Sequence, residues 1–261
     1  MLGGRPLARI AKEIVRPRNY LALARMFRVC RDPLDVARRY FLGGGTYPHR
    51  CELRTPLGVV SATVYSHHDV WTVVEVFCRG DYRVDRGIEV AVDVGSNIGI
   101  SALYFLTRNS GSRCYLYEPD PRNVERLRRN LESHSDRWTL HEAAVGPMAG
   151  KVEFGREETG RYGAVGARTG DVIRVECLAA NDMLEDILSS EASIDVLKVD
   201  TEGLEAATIA AIRPELIERV RTIYFESESP ARLHGERFEF SYANETVRLS
   251  RKGGPGALTE S

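Results

Sequence analysis

The sequence predicts an α/β protein built on a mainly parallel sheet flanked by helices, with a helical and hairpin extension in front of it. Three observations carry this expectation. From residue 88 onward, short apolar runs alternate with helical patterns, the signature of parallel strands joined by right-handed crossovers. The run VAVDVG, Val90 to Gly95, holds one acid in an otherwise apolar stretch, as a strand buried on both faces does. The chain has 261 residues, 43% of them apolar, enough for one full domain with a complete core and an appendage.

Taken in order, residues 1–45 read as helical, broken at Pro17 and Pro33 and ended by Gly43, Gly44 and Gly45. CELRTPLGVVSATVYS, residues 51–66, places β-branched stretches on either side of a Pro-Leu-Gly turn and reads as a hairpin. DVWTVVEVFCRGDY, residues 69–82, has the apolar spacing of a short helix that stops at Gly80. Then come the strand ending in VDVG, the helix IGISALYFLTRN, the strand RCYLYEP and a helix from Pro121 to Leu131, with proline at its permitted first turn. WTLHEAAVG reads as a third strand, IDVLKVD as a fourth, EGLEAATIAAI as the next helix and VRTIYFES as a fifth strand. KVEFGRE and VIRVECL are extra strands around the polar loop ETGRYGAVGARTGD, which reads as a lid. RFEFSY and TVRLS form a closing antiparallel hairpin. The expected division is 1–66 for an N-terminal cap and hairpin, 67–250 for the main domain and 251–261 for a disordered tail.

Composition narrows the class. No run approaches the about 20 apolar residues that span a bilayer. The first fifteen residues are interrupted by Arg5, Arg9, Lys12 and Glu13, unlike a signal peptide, so a cytoplasmic location is expected. Cys30, Cys51, Cys78, Cys114 and Cys177 are odd in number and lack a C-x-x-C pair, so they read as small buried apolar residues. Residues 1–50 hold eleven Lys or Arg against three acids, although the whole chain carries a net charge of only -1. Such an arm can serve nucleic acid or an anionic membrane. The favoured reading is a helical cap whose arginines face water or the acidic body, because the arm holds many apolar residues and no basic run longer than the pair Arg38-Arg39.

The segment richest in chemistry is VAVDVGSNIG. In parallel sheets ligands bind beyond the carboxyl ends of the strands, and this segment puts a turn there, framed by Gly95 and Gly99 with Ser96 and Asn97 between. A dinucleotide fingerprint needs G-x-G-x-x-G, whose middle glycine makes room for a pyrophosphate. Asn97 occupies that position, which points to a nucleoside ligand without pyrophosphate, such as S-adenosylmethionine. Asp93 could attract the cationic amino-acid end of that cofactor or organise the turn. Glu118, 23 residues beyond Gly95, could accept both ribose hydroxyls.

Several stretches resemble the FkbM family of methyltransferases: DVWTVVEVFCRGDY, VDVGSNIGISALYF, YEPDPRNVERLRRN, EAAVG, IDVLKVDTEGLEAATIAAI and TIYFES, in the family's order over about residues 69–227. LKVDTEGLE is the most specific of them. The resemblance implies a Rossmann-like class I methyltransferase fold with a mainly parallel seven-stranded sheet, S-adenosylmethionine as donor, and O-methylation of a small molecule or sugar. By position it implies that Asp93, Gly95, Asn97 and Glu118 line the cofactor, that Ala143 or Ala144 lies near the adenine with Glu142 as a polar contact, and that Asp200 faces the reacting centre. Tyr82 and Glu75, in the matched stretch, are further candidate contacts to cofactor or acceptor. Residues 1–50 lie outside the resemblance.

Methyl transfer to a hydroxyl needs its proton removed, by a base or with the help of a metal. Asp200 and Glu226 end the fourth and fifth strands, with Glu202 just beyond, so these acids are candidates for the base, and Asp200 with Glu226 for a Mg²⁺ site. His141 is the leading histidine candidate, followed by His67, His68 and His234. The acceptor expected is a small molecule or saccharide, with polyketide, peptide or lipid hydroxyls as alternatives. RNA is the remoter one, since DTEG replaces the N/D-P-P-Y type of motif used on exocyclic amines. The helical arm could cap the cleft or build a homodimer.

Overall fold

A computed structural model describes residues 17–156, 164–165, 171–201, 203–227, 232–243 and 245–253. The chain divides into two compact units, up to Arg83 and from Val84 onward. The boundary expected between 66 and 67 therefore falls inside the first unit, because the DVWTVVEVF helix folds with the N-terminal elements.

In the first unit, helices α1 (Pro17–Val29) and α2 (Pro33–Leu42) each begin at one of the two prolines read as breaks. Asp32 caps α2 by accepting the Asp35 N–H at 3.0 Å, and Gly43 ends it in a left-handed conformation with φ 66°. The hairpin forms as expected from β1 (His49–Thr55) and β2 (Gly58–Val64), paired from His49 with Val64 to Thr55 with Gly58. Helix α3 (His67–Val73) opens with a capping box between Ser66 and Asp69. It continues as a π-helical turn, Val74–Arg79, closed by a hydrogen bond from the Gly80 N–H to the Glu75 carbonyl at 2.8 Å.

The second unit is built on a seven-stranded sheet. Its strands are β3 (Val90–Val94), β4 (Arg113–Tyr117), β5 (Trp138–His141), β10 (Ile194–Val199), β11 (Val220–Glu226), β12 (Phe238–Ala243) and β13 (Thr246–Arg251). They lie in the order β12-β13-β11-β10-β3-β4-β5, parallel throughout except for the closing hairpin. The expected Rossmann-like methyltransferase fold is thus present, with all seven strands. Every residue of β3 is buried, as its apolar run requires, with β10 and β4 on its two sides. Helices α4 (Ile100–Leu106), α5 (Pro121–Asn130), α6 (Ala180–Ser190) and α7 (Glu205–Ala210) connect the strands. A core running from Val92 and Val94 through Leu184, Ile187, Leu197 and Ile209 to Phe225 and Leu249 fills the space between sheet and helices.

Two elements differ from expectation. WTLHEAAVG is not one strand: the chain leaves the sheet edge at exposed Glu142, and β6 (Ala144–Gly146) joins a second sheet by parallel pairing with β9 (Asp171–Ala179). That sheet is completed by β7 (Gly150–Arg156), antiparallel to β9, and β8 (Ala164–Val165). These contain the two extra strands read from the sequence. Helix α6 is the second difference. It has no side-chain cap at Ala179, so no start signal separates it from the strand before it. Most of the loop read as a lid and the tail after Gly253 lie outside the described residues, as does the arm before Pro17.

Candidate functional site

The carboxyl edge of the large sheet brings together the turn after β3, the end of β4 and the end of β10. The turn is tied to both neighbours. Gly95 and Ser96 donate their N–H groups to the Tyr117 carbonyl at 3.0 and 3.1 Å, and the Asp200 N–H reaches the Val94 carbonyl at 3.1 Å. Gly95 has φ 77°, and a Cβ there would overlap the carbonyl oxygen of Asp200, so glycine is needed both for the dihedral and for the close approach. Asn97 is also left-handed, φ 48°, a conformation that asparagine tolerates better than most residues. At Gly99, φ 86°, a Cβ would stand 3.2 Å from Leu127 and 3.3 Å from Leu131. Ser96 Oγ donates to the Asp93 carbonyl at 2.7 Å, and Asn130 Nδ2 donates to the Ile98 carbonyl at 2.9 Å.

Glu118 is buried at the end of β4. Its Oε2 accepts the Asn97 N–H at 2.8 Å, and its Oε1 accepts the Asp120 N–H at 2.9 Å and Asn123 Nδ2 at 3.4 Å. Burial pushes the carboxyl up to about 7, against the lowering effect of the Asp120 and Asn97 amides. An ionised carboxylate offers about four acceptor positions. Three are used by the protein, which leaves one for a further donor. In its ionised form this group, an acceptor beside a tight left-handed turn, could hold the hydroxyls of a ribose.

Asp93 differs from one expectation and meets the other. It is completely buried, accepts Ser101 Oγ at 2.5 Å and pairs with Lys198 Nζ at 3.0 Å. It organises the turn from beneath and does not reach out toward a ligand's ammonium. Lys198, which the reading of the sequence passed over, is the centre of this arrangement. Its ammonium meets the Gly95 carbonyl at 2.9 Å, Asp93 Oδ1 at 3.0 Å and Asp200 Oδ2 at 3.3 Å. Burial opposes that charge, but Asp93 and Asp200 outweigh it and hold the ammonium above its ordinary range. A signal was present in the sequence: lysine inside a strand buried on both faces demands a partner.

Of the other candidates, Asp200 and Glu226 stand at the ends of neighbouring strands, β10 and β11, next to the pair Val199 and Phe225, and the rest lie on separate elements. Asp200 is half-buried and adjoins the turn. Glu226 ends β11 and is exposed. Glu202 lies outside the described residues. His141 is stacked on Tyr117, with ring centroids 4.8 Å apart and planes 9° apart, which makes it a packing residue of the edge strand. Glu142, expected as a polar contact of the cofactor, is exposed and paired with Arg128 at 3.0 Å, whereas Ala143 and Ala144 are buried. His234 hydrogen-bonds the Ile209 carbonyl at 3.0 Å. Tyr82, Glu75, His67 and His68 belong to the N-terminal unit, where His67 and His68 pack on Trp71 and Glu75 faces Arg79.

The acids do not fit the Mg²⁺ site expected at Asp200 and Glu226. Asp200 faces an ammonium at 3.3 Å, which repels a second cation, and among the described residues no group of three His, Cys, Asp or Glu could hold a metal ion. The five cysteines are all free and buried. Among the described residues no helix is long and apolar enough to cross a membrane.

Comparison with known proteins adds a family. The sequence model of a family described as "Methyltransferase FkbM domain" matches residues 93–246, more than half of the chain. A protein named 2-O-methyltransferase NoeI, from Sinorhizobium fredii (strain NBRC 101917 / NGR234), is 28% identical over 155 residues, which are 52% of this chain and 62% of that protein. The match thus spans less than two thirds of the relative's length. Among solved structures, a methyltransferase from Geobacter sulfurreducens aligns with a TM-score of 0.36 and 17% identity over 64% of this chain and 72% of its own. The M. capricolum TrmK complex with S-adenosyl-homocysteine aligns with a TM-score of 0.37 and 11% identity over 73% and 72%.

Proposed function

The chain belongs to the FkbM methyltransferase family, and from that premise we propose that it is an S-adenosylmethionine-dependent O-methyltransferase acting on a hydroxyl of a sugar or glycosylated small molecule. The observation that carries the donor is buried Glu118, bonded to the Asn97 amide of the Gly95–Gly99 turn. When bound, the cofactor supplies the methyl group and a neutral thioether leaving group. Residues of the carboxyl edge would hold it: Glu118 through the ribose, and Gly95, Ser96 and Asn97 through close backbone approach. Because the leaving group is already good, the protein's part is to align acceptor and donor and to exclude water. Asp200, half-buried beside the turn, is the acid best supported for orienting the acceptor hydroxyl and taking its proton.

A hydroxyl acceptor is supported by the relative named a 2-O-methyltransferase and by the DTEG sequence after β10, which differs from motifs used on exocyclic amines. Five free thiols suit a reducing, cytoplasmic compartment. Two experiments test the proposal. Calorimetric titration with S-adenosylhomocysteine should give saturable binding, and absence of binding at millimolar concentration would sink the donor assignment. Transfer of labelled methyl groups to a panel of sugars, glycosides, polyketides, peptides and lipids should then label a saccharide hydroxyl, with or without EDTA. Label appearing only on the other classes would reject the saccharide.

A further inference from the structure

We infer that Lys198 is a positioning residue of the cofactor site: one buried ammonium ties the Gly95–Gly99 turn and the Asp200 carboxylate to a common point. This rests on the cofactor reading above. Burying a lysine is costly, and a buried ion pair can often be exchanged for apolar residues without loss of stability. Stability alone therefore gives no reason to keep it. Neutralising Asp93 would need a single contact. Lys198 instead reaches three separate segments: it donates a hydrogen bond to the Gly95 carbonyl of the turn and stands at ion-pair distance from Asp93 at the end of β3 and from Asp200 at the end of β10. The turn has particular need of an anchor, since Gly95 and Asn97 are both left-handed and such backbone persists only where its surroundings over-determine it. The same ammonium fixes one oxygen of Asp200, so the donor loop and the acid facing the acceptor share one support.

The alternative role, simple neutralisation of Asp93, is separable. In the double variant Asp93→Asn/Lys198→Met the buried charge and its partner vanish together, while Asn can still accept from Ser101. The expected result is a melting temperature close to that of the parent, S-adenosylhomocysteine binding at least tenfold weaker, and exchange of the Gly95, Ser96 and Asn97 amides at least tenfold faster. Parental affinity together with parental exchange would overturn the inference. Should the double variant not fold, Lys198→Arg keeps the charge but substitutes a planar fork that cannot meet the same three acceptors. It should bind at least tenfold more weakly, and parental binding would count against Lys198 as an anchor. If the parent itself binds no S-adenosylhomocysteine, the cofactor reading fails. Amide exchange in the unliganded protein then still decides whether Lys198 anchors the turn.

Discussion

Glu118 offers the most quantitative test of the site. Its carboxyl is raised from an ordinary 4.5 to about 7, chiefly by burial. A raised carboxyl keeps its proton in the native state over a range where the unfolded chain has already released it. Between about pH 4.5 and 7 the native state therefore binds more protons than the unfolded state, and stability falls as pH rises. The slope from this group is at most about 1.4 kcal/mol per pH unit, and over the whole interval it removes about 3 kcal/mol. Above pH 7 both states are ionised and the contribution is flat. Glu118→Gln removes the titrating group, although its amide would meet the Asp120 or Asn97 N–H and cost stability at every pH. The informative quantity is thus the difference between parent and variant, which cancels all other titrating groups. Urea unfolding from pH 4.5 to 8 should show the parent's relative advantage shrinking by about 3 kcal/mol. A difference constant across that range would refute the assignment of a carboxyl whose burial outweighs its hydrogen bonds at the end of β4. Ligand binding should run the other way: the ionised form accepts hydroxyls, so affinity for S-adenosylhomocysteine should rise up to about pH 7 and then level.

Three further outcomes are expected. Gly95→Ala should abolish measurable S-adenosylhomocysteine binding and destabilise the protein by about 2–4 kcal/mol, from strained φ plus overlap with the Asp200 carbonyl; near-parental unfolding and titration curves would contradict the close approach. Asp69→Ala removes the carboxylate that accepts the Tyr65 and Ser66 N–H groups at 2.7 and 2.9 Å, and should cost about 1–3 kcal/mol in denaturant unfolding. All five thiols should resist Ellman's reagent in the native protein and react after unfolding, since all are buried and burial pushes Cys51 up to about 12; a fast-reacting thiol would show that part of the fold opens.

The fold was legible where one physical signal dominated. Apolar runs marked β3 and β10, prolines at first turns marked α2 and α5, and glycines marked the ends of α2 and of the π-helical turn after α3. The path after β5 was not, because EAAVG continues the apolar run of WTLH with no breaker residue, and only the pairing of Ala144–Gly146 with β9 separates them. At the site, reading each acid as a potential ligand led to Glu118, which does lie beside the turn, and to Asp93, which is buried against a cation. Both end or nearly end a strand, and sequence does not reveal whether a carboxylate is answered from below by a cation. Lys198 supplies that cation from 105 residues away, a distance over which local pattern carries no information.

The order of strands in the large sheet also bears on synthesis. β3 is flanked by β4, which follows it closely, and by β10, whose Val196 pairs with Ala91 only after another hundred residues have been made. While a ribosome is still adding the second sheet and α6, a strand whose every residue is buried in the finished protein has one edge open, a template for unwanted pairing between nascent chains. Fragments stopped before Val199 should therefore aggregate where the full chain does not, and dividing this gene for expression is safest outside residues 90–199.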